Sequence, residues 1–231
     1  NYQRNYSMTT IDFNINPLGQ VTSHNDSILL PYIVEGYQAL TATYNQNQNG
    51  YLLIIPKGTY SGNGLNELLV FNVSNTGISL LNSNPLNFRI NYYGQVKVSN
   101  SITSPKICIS NQLKSLNNES YVTKIYNFNR ANGTISSNHL LEINKSIISC
   151  EFSTDDNLLY ASMDIVGNRN PNDYRLVVFD INNQILGYRV LTNNPITGNL
   201  QRAIDGNIYF TNKIEPTKLF KINNQNSWST S

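Results

Sequence analysis

The chain has 231 residues, of which 39% are hydrophobic and only 13% charged, with 16 basic residues against 14 acidic ones for a net charge of +2. That length and apolar content support one large all-β domain, or two small ones, with a buried core, and argue against disorder. The basic residues form no Lys/Arg block, so a nucleic-acid or anionic-membrane partner has little electrostatic support. Polarity comes instead from Asn, Ser, Thr and Gln and from 15 tyrosines, a hydrogen-bonding surface suited to a neutral partner. No apolar run approaches the roughly 18 residues of a membrane span, and the amino end, NYQRNYSMTT, lacks an apolar signal region. Because it begins without Met, the chain reads as a processed product or an excised piece.

No window of 11 or more residues carries a sustained helical apolar pattern, and Val, Ile, Thr, Tyr and Phe dominate the apolar set, so the predicted elements are strands. From the amino end, MTTIDFNI (8–15) and GQVTSHNDSILL (19–30) read as remnants of one unit. ALTATY (39–44), YLLIIP (51–56), LLVFNV (68–73) and GISLLN (77–82) make a first set of four strands. GQVKVS (94–99), KICIS (106–110), TKIYNF (123–128) and, after an Asn132-Gly133 turn, TISSNHLLEI (134–143) make a second. In the third set, CEFS (150–153) turns through Asp-Asp-Asn into LLYAS (158–162), followed by LVVFDI (176–181) and ILGYRVL (185–191). NLQRAI (199–204), the Asp205-Gly206 turn, NIYFT (207–211) and KLFKI (218–222) begin a fourth whose last strand is not evident.

One phrase recurs through these sets: LLVFNV, TKIYNF, LVVFDI and TKLFKI (217–222). Its anchors, Phe71, Tyr126, Phe179 and Phe220, stand about 40 to 55 residues apart, the spacing of four-stranded propeller blades. The predicted fold is a single all-β domain over 1–231, a β-propeller with four clear blades plus remnants, part of a larger ring closed by flanking blades or a partner chain. The four aromatics are expected at equivalent third-strand positions, buried between blades. A two-sheet sandwich would also show short strands and turns, but not sets of four with the same aromatic in the same place.

Chemistry is less marked. No nucleophile elbow, P-loop or dinucleotide fingerprint occurs. The Gly-rich GTYSGNG (58–64) joins two strands and opens no helix. Asp155, Asp156 and Asn157 offer clustered oxygens for a cation but read as a hairpin turn, and no Trp follows them to complete a sialidase-type Asp-box. His24, in the loop-like TSHNDS, and His139, on an outer strand, are isolated. Cys108 and Cys150, in KICIS and IISCEF, read as buried free thiols in preference to a disulfide between neighbouring blades. Six Asn-x-Ser/Thr triplets are what this composition produces by chance, and neither metal nor cofactor is expected. The remaining candidates are loop aromatics and amides, Tyr60, Tyr92, Tyr93, Asn168, Arg169, Asn170, Asn172 and Tyr174, suited to a protein or glycan by stacking and hydrogen bonding. Plain solvated loops are the alternative reading.

At CEFSTDDNLLYAS (150–162) and GNLQRAIDGNIYFTN (198–212) the sequence resembles a family of large secreted Bacteroidota proteins. In that family a β-propeller precedes a gliding-motility-associated carboxy-terminal domain exported by type IX secretion. Glu151, Phe152, Ser153, Asp155, Leu159, Tyr160 and Ser162 match the family's E-F-S-P-D-G-x-x-L-Y-V-S phrase. Gly198, Leu200, Gln201, Ala203, Asp205, Gly206, Ile208 and Tyr209 match its G-x-L-Q-x-A-P-D-G-K-I-Y-V-A phrase, and weaker similarity extends through residues 35–58. Thr154 and Ile204 stand where the family has Pro, and Asp156 where Gly is common. The resemblance implies a propeller in a secreted or cell-surface setting, adhesive or scaffolding, and assigns no catalytic residue. The expected function is a non-catalytic module recognising protein or glycan. The alternatives are a propeller hydrolase, of lactonase or glycosidase type, with catalytic groups outside this stretch, and a simple spacer.

Overall fold

The computed structural model of the chain describes residues 7–12, 20–27, 40–47, 50–57, 66–88, 95–110, 121–167, 170, 172–192, 194–196, 199–212, 214–223 and 225–228. Among the described residues it is all-β apart from one short 3-10 helix, and every strand pairing there is antiparallel. A hairpin of β1 (Ser7–Asp12) and β2 (Gln20–Ser27) comes first. His24, expected in a loop, lies within β2.

Four sheets follow in chain order. The first is β3 (Thr41–Asn45), β4 (Gly50–Lys57), β5 (Asn66–Ser74) and β6 (Gly77–Leu86), paired in that sequence. The second is β7 (Gln95–Val98), β8 (Lys106–Ser110) and β9 (Thr123–Asn129), with β10 (Thr134–Ile135) and β11 (Leu141–Ile143) both on the outer edge of β9. The third is β12 (Ile147–Phe152), β13 (Leu158–Asp164), β14 (Tyr174–Asp180) and β15 (Tyr188–Val190). The fourth is β16 (Gln201–Arg202), β17 (Ile208–Phe210) and β18 (Phe220–Ile222).

The sheets stack through apolar layers built from alternate residues. Leu52, Ile54, Leu68 and Val70 of the first sheet meet Val96, Ile107, Ile109, Tyr126 and Phe128 of the second. The opposite face of the second, Cys108, Ile125, Leu141 and Ile143, meets Cys150, Phe152, Leu159, Ala161, Val177 and Phe179. Leu158, Tyr160, Leu176 and Val178 on the far face of the third sheet meet Leu200, Ile208, Phe210 and Ile222. A strand buried on both faces has no polar-out side, which is why LVVFDI and KICIS read as continuous apolar runs.

The recurring aromatic keeps one place. Phe71 pairs with Leu53, Tyr126 with Ile107, Phe179 with Leu159 and Phe220 with Phe210, always from the third strand to the second. Phe71, Tyr126 and Phe179 are 1%, 4% and 3% exposed, while Phe220 is half-buried. Tyr126, Phe179 and Phe220 pack against the preceding sheet, and Phe71 lies on the face turned away from the second sheet. Across the layers the first strands β3, β7, β12 and β16 lie beside one another. No pairing joins the fourth sheet to the first among the described residues.

Two expected strands are broken. Within TISSNHLLEI, Ile135 pairs with Phe128 and Leu141 with Ile125, so residues 136–140 face only Tyr126 and Asn127 and bulge outward. ILGYRVL opens with the 3-10 turn Gln184–Leu186, ended by Gly187 at φ 64°, before β15 begins. The predicted turns hold, with left-handed Gly133, Asp156 and Gly206 at their corners.

Candidate functional site

Among the sequence candidates, Tyr60, Tyr92, Tyr93, Asn168 and Arg169 lie outside the described residues. Asn170 and Asn172 are exposed in the β13–β14 connection, where the Asn172 amide donates to Asn170 Oδ1 at 3.0 Å and the Asp173 amide to the Asn170 carbonyl at 2.8 Å. Arg175 Nη1 donates to the Asn172 carbonyl, closing a local turn. Tyr174, expected in a loop, is the first residue of β14; it is buried, with its hydroxyl 3.0 Å from Ser146 Oγ. The structure brings the two amides together and withdraws the ring from the surface.

A cavity of about 340 Å³ opens at the other end of the sheets. Gln46, just after β3, forms part of its wall; Ile102, Thr103, Ser104 and Pro105 come from the β7–β8 connection, and Asn127, Phe128, Asn129 and Arg130 from the end of β9. Strand alternation sets this lining, because Phe128 turns into the first apolar layer while Asn127 and Asn129 stay exposed. The Asn129 side chain also holds the following turn, its Oδ1 accepting from the Ala131 amide at 2.9 Å.

Behind the wall sits a knot of buried charge. Arg130 is 7% exposed; its Nη2 donates to the Ser99 carbonyl and its Nε has no hydrogen-bond partner. Burial lowers the guanidinium's pKa, and the nearby Asp156 carboxylate opposes that shift. Asp156 reaches in from the third sheet at φ 58°, its Oδ2 accepting from the Ser101 amide at 2.8 Å and its carbonyl from Lys106 Nζ at 2.9 Å. Ser99 Oγ takes the Lys106 amide at 2.8 Å. The 99–105 connection is thereby pinned by residues of two sheets, which preorganises the cavity wall. The lining offers amide and hydroxyl groups, one guanidinium and the apolar surface of Ile102, Pro105 and Phe128, with no carboxylate. In a chain so rich in Asn and Ser, nothing in NFNR or ITSP singles these residues out.

A second polar line joins the first strands. Lys97 Nζ lies 2.6 Å from Glu151 Oε2, and that oxygen accepts the Arg202 amide at 3.1 Å. Gln95 Oε1 accepts the Cys150 amide at 2.6 Å, and Ser149 Oγ the Leu200 amide at 2.8 Å. The first strands of the second and third sheets, β7 and β12, thus satisfy backbone donors of the sheet that follows with their side chains, as buried amides require.

Asp155, a candidate cation ligand, spends its carboxylate on the turn: Ser153 Oγ donates to it at 2.6 Å and Asn157 Nδ2 at 2.9 Å. His139 rests edge-on against Tyr126 and 3.4 Å from Glu142. No group of three His, Cys, Asp or Glu suited to a metal occurs among the described residues. No protein-family model matches the chain, and no curated protein matches it.

Proposed function

We propose that this chain is a non-catalytic β-propeller module that binds a glycan in the cavity between its first and second sheets. The observation that carries the reading is the lining itself. Asn127, Asn129, Gln46 and Ser104 supply donors and acceptors for hydroxyl groups, beside the apolar surface of Ile102 and Phe128. A sugar ring has that mixture of hydroxyl rim and C–H face, and about 340 Å³ falls at the lower end of small-ligand sites. Stacked four-stranded sheets with their first strands adjacent support the propeller, whose ring flanking blades or a partner chain would complete. The resemblance at residues 150–162 and 198–212 supports a secreted or cell-surface setting.

The test is binding of an oligosaccharide panel to the purified chain by calorimetry, followed by Asn127→Ala and Asn129→Ala. At least one glycan binds, and the double substitution weakens it about tenfold, equivalent to about 1.4 kcal/mol. Binding indifferent to both substitutions moves the site elsewhere; hydrolysis of the bound glycan replaces the module with an enzyme.

A further inference from the structure

We propose that Cys108 and Cys150 form a disulfide that staples the second sheet to the third. The inference depends on neither the ring nor the glycan cavity. These are the chain's only two cysteines, and they meet. Cys108 is central in β8, and Cys150 lies in β12, opposite Ala161 of β13. Both side chains are fully buried in the layer between the two sheets, with Cys150 Sγ 3.5 Å from Cys108 Sγ.

Both backbones are held. Cys108 is paired on each side, to Lys97 and to Ile125, and the Cys150 amide donates to Gln95 Oε1, a side chain of the strand next to β8. A disulfide has a sulfur separation near 2.05 Å, so closing the pair requires about 1.5 Å of approach, within reach of small side-chain rotations. The two residues sit far apart in sequence and in different sheets, so the bond would add a covalent tie to a layer that apolar packing and noncovalent polar contacts such as Lys97–Glu151 otherwise hold.

The redox step needs an oxidant, and a small-molecule disulfide of the glutathione class supplies it. One cysteine thiolate attacks that disulfide, forming a mixed disulfide and releasing one small thiolate. The second cysteine thiolate attacks the protein sulfur and displaces the other. One disulfide is reduced to two thiols while two cysteine thiols are oxidised to one disulfide, and two protons pass to the released thiolates. In the closed layer the hydrogen bond to Cys150, together with burial, raises the Cys108 pKa well above its usual value. Oxidation therefore belongs to folding, before the layer closes; afterwards the bond is shielded from reductant.

The experiment refolds the full chain from denaturant, once in a glutathione redox buffer and once with excess dithiothreitol. In the first sample the intact mass is lower by about 2 Da, no thiol titrates under denaturing conditions, and a non-reducing peptide map joins the two cysteine peptides. Its Tm exceeds that of the reduced sample by about 5–15 °C, as a bridge closing a loop of this length would produce. Cys108→Ala/Cys150→Ala shows the same Tm in both buffers. Two titratable thiols per chain after oxidative refolding, glutathione adducts without a bridge, or crosslinks only between chains would overturn the proposal. A bridge that leaves Tm unchanged would overturn its bracing role. The thiol and mass readings come from the unmodified sequence, so a variant that fails to fold does not block the test.

Discussion

Glu151 and Lys97 face each other at 2.6 Å across two sheets, and the same carboxylate oxygen takes the amide of Arg202 from a third. One side chain thus connects three first strands. The Glu151 side chain is 4% exposed and that of Lys97 18%, so the ammonium retains some solvation. Glu151→Gln keeps an acceptor for the Arg202 amide but leaves the lysine without its counter-charge, and should destabilise the chain by about 1–3 kcal/mol, less than a fully buried pair because Lys97 is partly wet. A double-mutant cycle with Lys97→Met, read by urea denaturation, isolates the pair; zero coupling would mean that the carboxylate acts only as a backbone acceptor.

Gly133 and Gly206 occupy the same kind of left-handed corner in different surroundings. At Gly133, φ 71°, a Cβ would stand 2.8 Å from Val70 Cγ1 on the neighbouring sheet, whereas at Gly206, φ 79°, the nearest atom is Thr154 Cγ2 at 4.0 Å. Gly206→Ala should cost only the left-handed backbone, about 1–2 kcal/mol. Gly133→Ala adds an overpacking term of about 1–3 kcal/mol. Thermal unfolding of both variants measures the difference, and Val70→Ala combined with Gly133→Ala should recover part of it. Equal losses would show that the layer yields freely at Val70.

The recurring aromatic gives a graded series. Phe179 is buried between the second and third sheets, beside Tyr188 at 5.8 Å between ring centroids, while the half-buried Phe220 stacks on Phe210 at 5.6 Å. Truncation to Ala should cost about 3–5 kcal/mol at Phe179 and less at Phe220, where the residual cavity opens toward solvent. Chemical denaturation of the two variants gives the ordering directly. A larger loss at Phe220 would mean that the fourth sheet carries more of the fold than its three strands suggest.

Strand periodicity made the sheets legible, and the repeat predicted the register of Phe71, Tyr126, Phe179 and Phe220 because burial between neighbours demands the same shape at the same place. What the sequence hid depends on small geometric choices. Ser153 and Ala203 occupy matching positions in similar phrases, yet Ser153 Oγ takes the Leu158 amide and the Ser153 amide reaches the Leu158 carbonyl, while the Ala203 amide closes onto Asn207. The fourth turn is one residue tighter, and its strand register shifts with it. The cavity was illegible for a different reason. Asn127, Asn129 and Arg130 owe their place to a strand end meeting the 99–105 connection, and the buried acid behind them, Asp156, comes from another sheet. Composition marks no such meeting, whereas the Tyr and Asn it does mark at 170–174 form a local turn and a buried strand start.

The Asp205 turn should set part of the acid limit of stability. Its carboxylate accepts from Asn207 Nδ2 at 2.8 Å, from the Tyr209 hydroxyl at 2.7 Å and from the Asn207 amide at 3.0 Å. Those bonds, the Asn207 side chain first and then Tyr209, hold its pKa down at about 2. A carboxylate whose pKa is lower in the folded than in the unfolded chain contributes stability above its ordinary value near 4, and loses it as pH falls toward 2. Asp205→Asn should therefore lower Tm near neutrality, and its gap from the wild type should close between about pH 4 and pH 2. The Tyr209 phenol, raised chiefly by its bond to Asp205, should titrate at lower pH in the same variant, which ultraviolet absorbance reads independently of stability. A gap that stays constant across the acid range, with the phenol unmoved, would show that in solution the turn does not hold Asp205 in these bonds.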